Sequence, residues 1–494
     1  MNTKASTIEA GSGMLPAVDL ASAEGNISGS LGTLDIALAT LAYAGPLAAV
    51  SGYLSVVIGM GNGIGAPDMF IFMTLVMLVF AAGYCAFTQY VPNPGGFYAF
   101  ISAGLGNAAG LGSALFTLAT YAGIGWGFYA FAGIVSQQFL QEMGLGTVPW
   151  WACALAYWVV VAVLAYFHIA VSARVLGVLL LAEVLVVIVW DGIVIAHGGA
   201  HGLSTVPFHL SSGLSGNLGI AALFGTGFYT GFEATAMYRE EARQPHKTIP
   251  RATYLVVIFI GLFYTLTSWV YINALGVDNA VRVAAADPAN TFITLARQYG
   301  GKLLVDIVNP LLLTSVFAAH LSIQNVTTRY VYSLSVDGIF PKFLSVAHSK
   351  HRSPHRSSVL VSLIYLVGTA VLFATGMTAV QIYSQYAGLA QLGITVAMAL
   401  TSLAAFVYFL KNKKSDRSKF VTIVCPLLAF LALCTLGYLG VTNLSTLTGA
   451  SDLANWLMVG GMVSVWVVGC AYALWLKKNR PMTYRKIGRN VISD

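Results

Sequence analysis

Residues 42–53 read AYAGPLAAVSGY, and residues 224–234 read FGTGFYTGFEA. Both stretches lie inside long apolar runs, and both put helix breakers where an unbroken helix would otherwise run. Pro46 removes a backbone donor, and Gly45 and Gly52 permit dihedrals closed to other residues. Gly225, Gly227 and Gly231 give the second stretch the same freedom. A helix in lipid must satisfy its own backbone, so a break is tolerated only where it is buried in protein or lines a cavity. A matched pair of such breaks, one in each half of a chain, is the sequence sign of a transport site between two repeats. Glycine also serves plain close packing of helices. The corresponding positions of the two breaks favour a site.

The surrounding chain fits that reading. Of 494 residues, 57% are hydrophobic and 9% charged, against roughly 25% charged in soluble proteins. That excludes a soluble fold, which would lack charge for its surface, and it excludes disorder. From 69 to 141 and from 357 to 410 there is no Asp, Glu, Lys or Arg. The in/out alternation of an outer-membrane barrel is absent. At about 20 residues per crossing, the sequence describes an all-α polytopic membrane protein of twelve transmembrane helices. The expected spans are 34–60, 69–90, 107–138, 149–168, 173–196, 217–238, 252–274, 303–330, 357–376, 380–410, 420–441 and 454–476.

Basic residues set the orientation. With the N-terminus inside, the inner loops and tails carry 22 Lys and Arg and the outer loops 3. Both termini are therefore expected in the cytoplasm of a multi-pass protein of the cell (inner) membrane. The net charge of +7 follows from this asymmetry, so no nucleic-acid partner is implied. The run KNKKSDRSK at 411–419 reads as a topology signal, with anionic lipid as the other possibility. The start of the chain has no signal-peptide pattern. Cys85, Cys153, Cys425, Cys434 and Cys470 fall in apolar segments, as small hydrophobes do, so neither disulfides nor a metal cluster are expected. His348, His351 and His355 lie among Lys350, Arg352 and Arg356, which repel a cation. No metal and no cofactor is expected. No P-loop, H-E-x-x-H or catalytic carboxylate pair is present, so the chain is not read as an enzyme.

Three further stretches resemble a known family. Residues 231–252 contain Gly231, Phe232, Glu233, Glu240, Glu241, Pro245, Ile249, Pro250, Arg251 and Ala252 in the order of the span-six exit of the amino acid–polyamine–organocation permeases. Residues 92–100, PNPGGFYAF, resemble that family's segment after span two. Residues 329–341, RYVYSLSVDGIFP, resemble its loop after span eight. The family's span-one break, usually G-[SA]-G, is matched here to Val50, Ser51 and Gly52. The resemblance implies the LeuT-type fold, with a 5+5 inverted repeat and two C-terminal helices. It sets a transporter domain over 31–476, with repeats at about 34–196 and 217–410 and extra helices at about 420–476. A tail at 1–30 and a basic tail at 477–494 flank it.

The candidate site follows from the breaks. A substrate carboxylate is expected on N–H groups near Ala48, Ala49, Val50, Ser51 and Gly52, because a helix N-terminus favours anions. An ammonium group is expected on carbonyls near Phe228, Tyr229, Thr230 and Gly231. Glu233 either holds the ammonium group or braces the broken helix. Phe232 and its aromatic neighbours are gate candidates or packing, as are Tyr121 and Trp126. Glu183 lies 11 residues beyond Ser172, about 16 Å along the helix, near mid-membrane. Many relatives carry Lys at this place after a Ser-Ala pair. An intramembrane carboxyl is a functional candidate by default, so Glu183 is a candidate proton carrier, or a structural acid. His320 has the same two readings. Glu240, Glu241, Arg243 and Arg251 are expected to form an inner network, and Arg329 to pair with Asp337. The whole reads as a proton-coupled importer of an amino acid, neutral by preference. The small-molecule substrate, the proton and the lipid bilayer are its partners. An amino acid or polyamine exchanger is the rival, and a non-transporting nutrient sensor is the rival from another class.

Overall fold

The computed structural model describes residues 31–489 apart from 92–94, 168–172, 240–241, 289, 347, 349–352 and 413–416. Eleven helices among the described residues are long and apolar enough to cross a membrane. They are Thr33–Met60, Gly63–Tyr90, Asn107–Glu142, Trp150–Phe167, Gly177–His197, Pro245–Leu275, Thr291–Val336, His355–Ala374, Ala379–Lys411, Phe420–Thr442 and Asp452–Asn479. The twelfth span is the interrupted one. It runs as an α-helix over Leu218–Gly227, opens for four residues, and resumes as a tight 3₁₀ turn over Phe232–Tyr238. Neither half alone is long enough to count as a crossing helix. Spans are numbered one to twelve in chain order below.

The boundaries follow local chemistry. Pro67 stands in the first turn of span two, where its missing donor costs nothing. Asn217 caps span six by accepting from the Ile220 amide at 3.1 Å. Thr378 and Gln381 cap span ten reciprocally, as a capping box does. Several segments extend beyond the expected spans: span two starts at Gly63 and span seven at Pro245. The helix carrying span eight starts at Thr291, because a short lead helix continues into it across Gly301 (φ 68°). Phe97–Leu105 forms a short helix after span two, with Phe97 to Ser102 all buried.

Side chains sort by environment. The interior packs Phe70, Phe80, Tyr84, Phe87, Phe228 and Tyr264. Leu185, Leu262, Val367 and Leu457 are among the large apolar side chains left on the outside of the bundle. On a soluble protein so much apolar surface would aggregate. On a bilayer protein it is the face that lipid covers. Span three runs through the middle of the bundle, against spans four, eight, ten and twelve.

One end of the bundle, which carries the basic loops, is closed by contacts between distant segments. Tyr98 donates from its hydroxyl to Asp337 at 2.8 Å and accepts the Gly488 amide at 2.6 Å. Its own amide donates to the Tyr330 hydroxyl at 3.0 Å. Asn107 donates to the Tyr484 carbonyl at 2.7 Å, and Ile487 is fully buried. Arg239 donates to the Thr88 carbonyl at 2.6 Å, and Arg243 donates from its amide to Leu31.

Candidate functional site

Span one breaks at Gly45, which takes the left-handed conformation (φ 53°, ψ 68°). The helix restarts at Pro46, whose ring fixes the first turn and brings no N–H. The expected break at Val50–Gly52 is corrected here. Those residues stay helical, as one wide π turn over Val50–Leu54. The physical reason is hydrogen bonding. The Ala49 amide donates back to Gly45 at 2.9 Å, and the Val50 amide donates to Pro46 and Leu47. Both donors are committed inside the helix. The N–H groups at the restart are those of Leu47 and Ala48.

Both meet protein oxygens. Ala48 donates to Ser315 Oγ at 3.3 Å, and Ser315 Oγ donates in turn to Glu183 Oε2 at 2.6 Å. The Leu47 amide lies within hydrogen-bonding reach of the same carboxyl. Glu183 is 2% exposed. One carboxyl from span five thus ties the break in span one to span eight.

Span six breaks at Phe228–Gly231. Gly231 adopts φ 108°, a conformation open to few other residues. Its amide donates to Glu233 Oε2 at 2.8 Å, so the Glu233 carboxyl closes the turn on its own segment. Tyr84 donates to the Glu233 carbonyl at 2.7 Å. Thr230 donates to Gln391 Oε1 at 3.1 Å. The aromatics of the break are all buried. Phe228 packs edge-on against Tyr264 and Phe70, with centroids 4.5 and 4.9 Å away. Tyr229 shares a 2.7 Å hydrogen bond with Thr74, and Phe232 lies edge-on to Phe80 at 5.5 Å. On span three, Tyr121 packs on Tyr330, and Trp126 donates to the Ile364 carbonyl at 3.1 Å.

A cavity of about 290 Å³ leads toward this region from the end away from the basic loops. Ser51 lies on its wall beside Phe131 and Leu312. Glu142, Gln138 and Asn309 line it further out, where Glu142 meets Arg297 at 3.6 Å and accepts a hydrogen bond from Asn309. Above Gly52, Tyr383 stacks on Phe131 at 4.7 Å and on Tyr53 at 6.2 Å.

The remaining candidates lie apart from the breaks. His320 is fully buried, its ring 4.0 Å from that of Tyr129 and within 6 Å of Tyr157 and Tyr365. Neither of its ring nitrogens has a hydrogen-bond partner among the described residues. Arg329 lies over the Tyr238 ring at 5.8 Å, and Asp337 takes the Tyr98 hydroxyl. Arg251 stands exposed early in span seven. Glu240 and Glu241 lie outside the described residues, and so does His351.

Three residues at the breaks were not singled out from sequence: Tyr43, Ser315 and Gln391. A usable signal existed for Gln391, an amide in the middle of a charge-free stretch. Ser315, a hydroxyl in an apolar helix, gave no such signal. Tyr43 looked like any aromatic in an apolar run.

Two broken helices facing each other inside a twelve-span bundle define a multi-pass membrane transporter. The amino acid permease family profile matches residues 39–484, and the chain belongs to that family. It is 26% identical over 466 residues to the branched-chain amino acid permease BcaP of Bacillus subtilis, covering 89% of this chain and 93% of that protein. It is 24% identical to the low-affinity putrescine importer PlaP of Escherichia coli, covering 79% of this chain and 83% of that protein. Among solved structures, the manganese transporter of Eremococcus coleocola (mutant H236A) superposes with a TM-score of 0.53 at 10% identity, over 96% of this chain and 97% of that one. That likeness concerns the fold, which is of the LeuT type.

Proposed function

We propose that the protein imports a neutral amino acid by alternating access, driven by protons. The observation that carries this reading is the Glu183 carboxyl. It sits on the restart of span one and on Ser315, where taking up a proton would change its hold on both segments. A carboxyl within the membrane is costly and marks function by default. The reading places coupling on Glu183 rather than on His320, whose ring nitrogens face aromatic rings. The two repeats take the bounds 34–196 and 217–410. The basic loops and both termini face the cytoplasm, following the distribution of Lys and Arg. The cavity beside Ser51 then opens to the outside while the Tyr98–Asp337–Gly488 contacts seal the inside, which suits an outward-facing stage of the cycle.

The identity of BcaP as a branched-chain amino acid permease supports the neutral substrate. The name of PlaP favours a second reading, transport or exchange of an amine. That reading needs a carboxyl group on the substrate ammonium. Glu233 is the nearest candidate, and its carboxyl is already engaged by Gly231. The test is uptake into proteoliposomes offered labelled amino acids and putrescine, with and without an inward proton gradient. Accumulation of a neutral amino acid that collapses with a protonophore supports the proposal. Uptake only into preloaded vesicles would replace it with exchange. Glu183→Gln is expected to abolish gradient-driven uptake and to leave counterflow exchange. Full gradient-driven uptake by that variant would refute the coupling role.

A further inference from the structure

We infer that Asp191 is a second proton-carrying carboxyl, which takes protons from the outer side and passes them along the seam between spans five and seven to Glu183. The inference rests on the coupling role proposed for Glu183 and extends it.

Asp191 lies on the same helix as Glu183, eight residues further on, about 12 Å of rise. In the proposed orientation it is the outer of the two, six residues before the helix ends at His197. It is 2% exposed. Thr267 donates to its Oδ2 at 2.9 Å, while its Oδ1 has no partner among the described residues. A buried carboxyl oxygen left without a partner needs a reason, and a proton bound there would supply one. Its neighbour Trp190 packs on Tyr271 and Phe292, so the chain around Asp191 is held in place rather than loosely packed.

The seam continues inward. Tyr264 stands three residues before Thr267 on span seven, one turn closer to mid-membrane, so the two share a helix face. Its hydroxyl is buried and also lacks a partner, and it lies within electrostatic range of Glu183. The order from the outside is therefore Asp191, Thr267, Tyr264, Glu183, and beyond Glu183 come Ser315 and the span-one break. A proton arriving on Asp191 passes through the Thr267 hydroxyl to that of Tyr264 as the Tyr264 hydroxyl gives its own proton to the Glu183 carboxylate. The net change is one proton moved inward with no other bond altered.

From span seven the Thr267 hydroxyl meets Asp191, and Tyr271 packs on the neighbouring Trp190 and shares a 2.7 Å hydrogen bond with Ser55 of span one. The helix beginning at Thr291 contributes Phe292, and further out Tyr299, whose ring lies 5.9 Å from that of His197. Arg297 and Lys302 on that helix are paired with Glu142 and Asp306 at exposed positions. Span seven carries no Lys or Arg after Arg251.

The experiment compares Asp191→Asn, Asp191→Glu, Tyr264→Phe and Glu183→Gln in proteoliposomes under sodium-free conditions. Gradient-driven uptake and counterflow exchange are read across external pH. The expected result is a tenfold or greater loss of gradient-driven uptake in Asp191→Asn, with counterflow within twofold of the parent. Asp191→Glu should restore uptake with a displaced pH profile, which a purely structural acid would not produce. If Asp191→Asn fails to fold, as absent counterflow would reveal, Tyr264→Phe carries the same expectation. Unchanged gradient-driven uptake and pH profile in Asp191→Asn, with Glu183→Gln inactive, would overturn the relay alone. Intact gradient-driven uptake in Glu183→Gln would instead remove the coupling reading on which it rests.

Discussion

Replacing Gly231 by Ala tests the geometry of the span-six break directly. At φ 108° an added Cβ would lie 2.0 Å from Cδ1 of Tyr43, far inside van der Waals contact. Two costs are separable. A side chain in this backbone region costs about 1–2 kcal/mol. Displacing a buried tyrosine ring adds about 1–3 kcal/mol of overpacking, so the total is about 4 kcal/mol. For a chain of this size, roughly 1 kcal/mol corresponds to one degree in Tm, so thermal unfolding of the purified protein in detergent should fall by about 4 °C. The double variant Gly231→Ala with Tyr43→Ala separates the terms. Relative to Tyr43→Ala alone, the added Ala should cost only the backbone part, about 1–2 kcal/mol. A Gly231→Ala protein as stable as the parent would refute the left-handed turn. An equal cost with and without Tyr43 would refute the contact.

Two other outcomes follow from contacts at the breaks and the seal. Ser315→Ala leaves the Ala48 amide short of an acceptor and Glu183 short of a donor; it should cost about 2 kcal/mol in thermal unfolding and slow gradient-driven uptake, while Ser315→Thr should retain both. Tyr98→Phe removes the donor to Asp337 and the acceptor for Gly488; in a background lacking the five native cysteines, a cysteine at the buried Ser335 should react with a maleimide several-fold faster, and an unchanged rate would count against the seal.

Most of the bundle was legible in the sequence because lipid imposes one rule on every span. Long apolar runs with polar ends must be helices, so most expected span ends fall within a few residues of the observed ones, while spans two, seven and eight run six to twelve residues further at an end. The interrupted sixth span was legible because its glycines crowd into a short stretch. Span one was harder. Gly45 and Gly52 were both able to break it, and only the hydrogen bonds of Ala49 and Val50 decide for Gly45. The lead helix before Gly301 was missed because it lies outside the apolar run. Glu183 was visible as a charge where charge is costly. Its partners were not, since Ser315 is 132 residues away in sequence and a serine in an apolar helix carries no such cost. Asp191 escaped notice for a different reason. It lies near the end of its span, where an acid looks like the beginning of a loop.

The seal at the basic end has a consequence for how the protein is made. Tyr98, Tyr330, Asp337 and Gly488 meet at one knot, yet ribosomes deliver them in sequence. At 5–20 residues per second, Gly488 emerges roughly 10–30 s after Asp337. Through that interval the newborn bundle already holds its two broken helices but lacks the last strap across its basic end. A ribosome stalled there would leave a permease whose basic end lacks that strap. The length of synthesis completed, and not only the sequence, thus decides when the barrier to leakage is whole.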